Sequence, residues 1–460
     1  MFARVSRSSS WAIRLRCAHR RFNPTGLRRR IGRSTPGLAG MSNYQIERPD
    51  WTLFSDLETL SQKSGVPVSR LRRLALKELT DNALDIAGAA SITEDSPGCY
   101  VIEHDGPGIE GTPQEIARLF SIAHPLVSAM LWRNPSRRAL GNGLRVVSGA
   151  LIASGGGELY VETRGQRLKI TPQREGWSFV EATPCERMVG TRIEISFGPK
   201  LPQDFAALIW ARLAIWLASY GKTYSGRPSI WHHDADSFFV LVEGSGERPV
   251  CDFITEFDSC TRAKAGQIAR DFLNRSCASL TKHEATALLQ RARENTQPVT
   301  HARLGEVGKI EGWHYARRDC TLTLGTHQPR AHLPFVIEAW AKRTDNDEPH
   351  LTAFVNLTPI VAELYVCRDA RKRLAIWGCG LKHLIEAPQK GNWELMLNLT
   401  TPHTVITSDG KTPDLERLAD TILEALCAAI LRTRSPNEPN GERWMQKQVM
   451  LDAVMAPSRA

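Results

Sequence analysis

Long apolar runs are missing from this chain of 460 residues. No stretch approaches the roughly 18 consecutive apolar residues that a membrane-crossing helix needs, so no membrane partner is expected. Ten cysteines occur, but none forms a C-x-x-C pair or stands at Cys/His ligand spacing. That pattern argues against a zinc site and a disulfide framework, and for scattered free thiols in a reducing compartment. Acid is absent from residues 1–40, which carry ten arginines and no lysine. Those ten account for the whole excess of 59 basic over 49 acidic residues, so the formal charge of +10 belongs to the leader. Residues 41–460 are neutral and give no charge-based reason to bind nucleic acid. The leader reads as a transit peptide, a basic nucleic-acid arm, or an over-extended gene start with Met41 as the first residue; the last is preferred.

The remaining composition is that of an ordinary soluble protein, long enough for two to four domains. Within it, "KELTDNALDIAG" (77–88) reads as a helix with Glu78, Asn82 and Asp85 on one stripe, at i, i+4 and i+7. Leu76, Leu79, Ala83 and Ala87 take the opposite, core-like face, and Ser69 after Pro67 is an acceptable N-cap. Alone, such a stripe more often means a solvated acidic face.

Downstream, "CYVIEHDGPGIEG" is a short strand end broken by Gly106-Pro107-Gly108, whose glycines allow close backbone approach to a flat or charged ligand. In "RRALGNGLRVVSGALIASGGGELYVETRG", Gly141 and Gly143 open an apolar helix. A glycine turn feeding a helix N-terminus suits phosphate, because free N–H groups and the dipole point at it. "MVGTRIEISF" alternates and reads as a strand entered through Gly190-Thr191. Each piece alone also fits an ordinary loop or strand.

In this order, acidic/amide helix, GPG loop, GNG helix start and GT strand resemble the GHKL, or Bergerat, ATP-binding fold of gyrase-type topoisomerases, certain chaperones, mismatch-repair ATPases and sensor kinases. The resemblance implies that Glu78 activates the attacking water and Asn82 holds Mg²⁺. It further implies that ATP is bound by Asn82, Asp85, His104, Asp105, Gly106, Gly108, Ile109, Gly141, Asn142, Gly143, Leu144 and Thr191. One departure stands out. The family's loop is D-x-G-x-G, and its Asp accepts a hydrogen bond from the adenine amino group; His104 occupies that position here, with Asp105 beside it. A neutral imidazole nitrogen can accept one hydrogen bond, and a small loop shift would let Asp105 do so instead.

Residues 251–297 read as two helices, about 262–275 and 281–295, the second with a Thr281/Glu284 capping-box pattern. They resemble the helix–two-turn–helix insert of the topoisomerase VI B subunit. "LPFVIEAWAKRTDNDEPHLTAFVNLTPIVAELYV" carries two strand patterns around "RTDNDEP", and "FVNLTPIVAELYV" looks like the family's transducer strand. The turn Ser408-Asp409-Gly410-Lys411 precedes a helix with Leu415, Leu418, Ile422 and Leu426 on its apolar face. In the resemblance Lys411 is the switch lysine that reaches the γ-phosphate.

The chain is therefore expected to be α+β. The expected order is a leader (1–40), a Bergerat α/β sandwich ATPase domain (41–248), a helix–two-turn–helix insert (249–300), an α/β transducer (301–435) and a tail (436–460). In the tail, "RWMQKQVMLDAVM" suits a docking helix or an end cap. The implied function is the ATPase B subunit of a type IIB topoisomerase. It would dimerise on ATP around double-stranded DNA and work with a separate A-like DNA-cleaving subunit, in a cytoplasmic, nucleoid-associated setting. Nothing among the seven scattered tyrosines marks a cutting module in this chain. The alternative is a stand-alone clamp of the same kind that supports breakage, recombination or defence without strand passage. A histidine kinase is disfavoured, because its catalytic domain would not be followed by an insert and a transducer.

Overall fold

The computed structural model describes residues 50–123, 129–137, 143–224, 226–388, 391–406 and 412–433, all within the unit Pro49–Ala460. The leader, Gly141, Asn142, Lys411 and the tail lie outside the described residues.

A short helix, α1 (Leu57–Ser64), is capped by Asp56, whose carboxylate accepts the Glu58 N–H at 3.0 Å. The acidic/amide segment is α2 (Leu71–Ala87), free of Gly and Pro and closed by Gly88 in the left-handed region at φ 73°. Ser69 does not cap it. A 3₁₀ turn (Val68–Arg70) runs straight into the helix, with the Arg70 N–H held by the Pro67 carbonyl at 2.8 Å, so the entry is satisfied by backbone.

Next come β1 (Ser91–Ser96), β2 (Cys99–His104), α3 (Pro113–Leu119), α4 (Gly143–Ser154), β3 (Glu158–Thr163), β4 (Gln166–Thr171), β5 (Phe179–Pro184), β6 (Thr191–Ser196) and α5 (Ala207–Tyr220). The strands form one antiparallel sheet in the order β1-β2-β6-β3-β4-β5. One face is apolar and packs against Leu76, Leu79 and Ala83 of α2, Val147 and Leu151 of α4, and Ala207 and Ala211 of α5. Across β2, β6 and β3 that face carries three side-chain rows: Tyr100–Ile195–Leu159, Ile102–Ile193–Val161, and His104–Thr191–Thr163. Two rows are core; the third, at the sheet's end, is polar and still buried. The opposite face is laced with ion pairs, among them Arg192 with Glu103 (3.4 Å) and Asp95 (3.3 Å), and Arg167 with Glu194 (3.4 Å).

A helical part follows, with α6 (Ala235–Gly244), α7 (Val250–Ile254), α8 (Arg262–Ile268) and α9 (Lys282–Glu294) around Phe238, Phe253, Phe257 and Leu288. The Thr281/Glu284 capping box forms at the start of α9. The preceding helix is shorter than the spacing predicts. Arg291 donates to the Ile268 carbonyl at 3.0 Å, and the chain turns through a 3₁₀ segment (Arg270–Phe272) that carries Phe272 into the core. Trp132 packs on Phe253 and Phe257 at 5.7 and 5.3 Å. There Arg133 donates to the His232 carbonyl at 2.6 Å, and His232 Nδ1 donates to the Arg133 carbonyl at 3.0 Å. His232 and His233 are fully buried.

Two short strands, β7 (Lys222–Thr223) and β8 (Gly305–Glu306), pair with each other. The last part comprises β9 (His314–Leu324), β10 (Ala331–Thr344), β11 (His350–Val355), β12 (Thr358–Pro359), β13 (Leu364–Arg368), β14 (Leu374–Gly378), β15 (Leu381–Leu384), β16 (Asn392–Thr400) and α10 (Ala419–Arg432). Its main sheet runs β12-β11-β16-β10-β9, with β11 parallel to β16 and α10 packed through Ile422, Leu426 and Ile430. The sequence pattern predicts one strand through "FVNLTPIV". The structure breaks it instead, because Asn356 and Leu357 take φ of 51° and 64° and form a two-residue hairpin turn between β11 and β12. Glu338 of β10, wholly buried, accepts from the Val307 and Gly308 amides, the Tyr315 hydroxyl and the Asn398 amide, which ties the 307–308 segment to the sheet.

Candidate functional site

Among the described residues, the start of α4 meets Glu78, and the loop after β2 meets both the end of α2 and the start of β6. Glu78, Asn82 and Asp85 are half-buried on α2. A Cβ on Gly143, the first residue of α4, would lie 2.3 Å from Glu78 Oε2, so only glycine lets the helix start approach that carboxylate. The first amides of α4 have no helical carbonyl to satisfy them, and the helix begins beside Glu78. Leu144, next along, is partly buried against the sheet core.

The loop after β2 is braced from below. Gly190 donates to the Gly106 carbonyl at 2.9 Å. Gly190 itself has φ 76°, and a Cβ there would fall 2.1 Å from the His104 carbonyl oxygen. Thr163 Oγ1 accepts the Ile109 N–H at 2.9 Å and sits 2.8 Å from where a Gly108 Cβ would be. A Gly106 Cβ would press Ala87 of α2 at 3.0 Å. Loop, α2, α4 start and β6 start are thus fitted together by glycines. Thr163 and Gly190 belong to this set and were not among the predicted site residues; the strand ending "ELYVET" and the GT pair are the signals that point to them.

His104 is buried, and burial pushes its imidazole below the usual histidine range; nearby Asp105 opposes this and Arg187 adds to it. The ring is therefore neutral at pH 7. Its Nδ1 accepts the Gly106 N–H at 3.1 Å, which leaves the proton on Nε2. The acceptor that the sequence offered for an adenine amino group is thus already engaged within the loop. Asp105 is exposed, and its carboxylate is the charged acceptor nearest in sequence. Thr191 is buried in the polar row. Asp85 faces Arg137, whose guanidinium stands 3.3 Å away.

On the other side of α2, Lys77 Nζ lies 3.1 Å from Glu78 Oε1 and 3.0 Å from Asp81 Oδ2. The Thr358 hydroxyl of β12 donates to the same Asp81 oxygen. Burial alone would lower the Lys77 pKa, but the Asp81 and Glu78 carboxylates outweigh it and raise it, so the ammonium stays charged. Burial raises the Asp81 carboxyl, partly offset by Lys77 and by the Thr358 hydrogen bond. Lys77, Glu78, Arg137 and Thr358 line one cleft between α2 and the second sheet. None of Lys77, Asp81 and Thr358 was expected from the sequence. Among the described residues no three His, Cys, Asp or Glu side chains are placed to hold a metal. Asn82 supplies a lone amide oxygen one turn from Glu78, which suits Mg²⁺, an ion that keeps water and phosphate oxygens as its other ligands.

No protein-family model matches the chain, and no curated protein matches it in sequence. Solved structures do resemble it in outline. One is the N-terminal domain of a DNA repair protein, 11% identical, with a TM-score of 0.33, covering 88% of this chain and 98% of its own. Another is the 43K ATPase domain of Thermus thermophilus gyrase B in complex with an aminocoumarin, 13% identical, with a TM-score of 0.28, covering 87% and 88%. At these values neither likeness bears on function.

Proposed function

We propose that this protein is an ATP-binding and ATP-hydrolysing enzyme of the GHKL type. Its role is that of the B subunit of a topoisomerase VI-like machine, an ATP-gated clamp on double-stranded DNA that works with a separate A-like cleaving subunit. The observation that carries the ATPase reading is the contact of Gly143 with Glu78, which sets a carboxylate against the open amides of a glycine-led helix. Phosphate oxygens fit those amides. Glu78 is then placed to take a proton from an attacking water, and the base would lie against the glycine loop over Thr163. Asn82 would hold Mg²⁺, which would neutralise developing charge on the phosphates.

The clamp reading draws on the second sheet, which reaches α2 beside Glu78, and on the resemblance of the helical part to the family's insert. ATP is expected to close the protein into a homodimer in the cytoplasm, at the nucleoid, with Lys411 reading the γ-phosphate. A stand-alone clamp that supports breakage, recombination or defence without strand passage is the second reading.

The test is Glu78→Ala in the full chain. Nucleotide binding should persist, because the ligands remain, while phosphate release should fall by about a hundredfold or more. Equal turnover by variant and wild type removes Glu78 from the chemistry. DNA relaxation in the presence and absence of an A-like partner separates the two clamp readings.

A further inference from the structure

The two oxygens of the Glu78 carboxylate face different neighbours. Its Oε2 is the oxygen that faces Gly143, while Oε1 is 3.1 Å from Lys77 Nζ. Lys77 Nζ is also 3.0 Å from Asp81 Oδ2, and that oxygen accepts the Thr358 hydroxyl. An unbroken line of polar contacts therefore runs from the second sheet to Glu78. Lys77 and Asp81 are 5% and 3% exposed, so each link matters to its buried neighbours.

Thr358 is fixed by its own sheet. Leu357 is buried, and its N–H donates to Asn398 Oδ1 at 3.2 Å. The Asn356 side chain accepts the Thr401 N–H at 2.8 Å and donates to the Ser136 carbonyl at 3.1 Å. Two consecutive non-glycine residues at positive φ hold this turn, a conformation that persists only where surrounding contacts over-determine it. Thr358 thus moves with the second sheet and not by itself.

We propose that Thr358 is a positioning residue for Glu78, acting through Asp81 and Lys77. This rests on the ATPase reading above. One ammonium lies between two carboxylates, so its pull on Glu78 depends on how firmly Asp81 holds it. The Thr358 hydroxyl stabilises the ionised form of Asp81. Without it, burial drives Asp81 towards the neutral form, and Lys77 swings wholly onto Glu78 and turns the carboxylate away from the start of α4. Displacing the second sheet does the same, so hydrolysis is tied to the placement of that sheet. Arg137, which also lines the cleft, faces Asp85 and does not substitute for Lys77.

The experiment measures ATP turnover, the affinity for a fluorescent ATP analogue and thermal stability in the full chain, for wild type, Thr358→Val, Thr358→Ser and Glu78→Gln. Thr358→Val should lose about tenfold in kcat, short of the roughly hundredfold that a 1 Å misplacement can cost, with affinity unchanged; Thr358→Ser should restore kcat. A Thr358→Val variant with wild-type kcat, while Glu78→Gln is inactive, overturns this proposal alone. So does a variant whose affinity, stability and kcat fall together without recovery in Thr358→Ser. A wild type that binds the analogue and hydrolyses nothing overturns the ATPase reading and this proposal with it. If Thr358→Val does not fold, Asp81→Asn carries the test, with the same loss of kcat expected and wild-type kcat as the overturning result.

Discussion

Against the first sheet, α2 is fitted by atoms its neighbours lack: Gly106 beneath Ala87 and Gly143 beside Glu78. Against the second sheet it is held by a hydrogen bond from the Thr358 hydroxyl to Asp81, whose carboxylate is paired with Lys77 on α2 itself. The two contacts fail in opposite ways. A space kept by glycine is ruined by adding one carbon, whereas a buried ion contact is ruined by taking one charge away.

The largest effect should come from the ionic side. Lys77→Met leaves Glu78 and Asp81 facing each other without their cation, and breaking such a buried contact costs about 4 kcal/mol. The deficit carries its own pH signature. The folded pKa of Asp81 is raised, so its protonated form is favoured by folding and the penalty grows as pH rises above the ordinary carboxylate range. Urea unfolding of the variant at pH 5 and pH 8 should show the smaller loss at pH 5; equal losses would detach Asp81 from Lys77.

On the glycine side, Gly190→Ala combines a positive φ with a clash on the His104 carbonyl, and should cost about 3 kcal/mol. The same substitution at Gly88, also at positive φ but with nothing within 4 Å, should cost about 1 kcal/mol. Chemical denaturation of both variants checks this. A pair of equal losses would mean that backbone conformation, and not the fitted space, sets the glycine contact.

Acid also loosens the molecule through buried histidines that are not on α2. Burial holds His232 and His403 down at about 4. A depressed histidine contributes stability that is present above its unfolded value and lost as the pH falls towards the folded one, here from about 6.5 to 4. The unfolding midpoint should therefore drop across that window. His403→Gln should flatten the slope by up to about 1.4 kcal/mol per pH unit; an unaltered slope would place the acid response elsewhere.

The smallest effect concerns the base. With Nδ1 of His104 engaged by Gly106, His104→Asp would add a charged acceptor and tighten ATP by about 1 kcal/mol. Titration with ATP and GTP measures it. Unchanged affinity would assign the contact to Asp105 or to no base-specific group.

Much of the glycine side was legible in the sequence, and the ionic side was not. Glu78, Asn82 and the core stripe of α2 follow from a 3.6-residue period, and Gly106, Gly108, Gly143 and Thr191 sit where strand and helix patterns meet. Those signals are local. Asp81 was visible only as one more acid on a helix, because its partner Thr358 lies in a hairpin that the apolar run "FVNLTPIV" conceals. Strand order was hidden for the same reason. "RTDNDEP" marks the link from β10 to β11, yet β16, from much later in the chain, is inserted between them. Ser69 misled because a 3₁₀ turn satisfies the helix entry with backbone alone. His104 is a subtler case: its neutrality followed from burial, but which nitrogen stays available depends on the fold of its own loop.

The late insertion of β16 sets an order on synthesis. The hairpins β1–β2 and β3–β4 close as soon as they emerge, being pairs of neighbours in the chain. β11 has to wait for β16, since Val355 pairs alongside Leu399. Until the ribosome has delivered that strand, the turn bearing Thr358 has no sheet to fix it. A nascent chain can therefore assemble the glycine-lined end of the first sheet while Asp81 and Lys77 still lack their outer support. On the proposed ATPase reading, turnover would then wait for the C-terminal sheet to be complete.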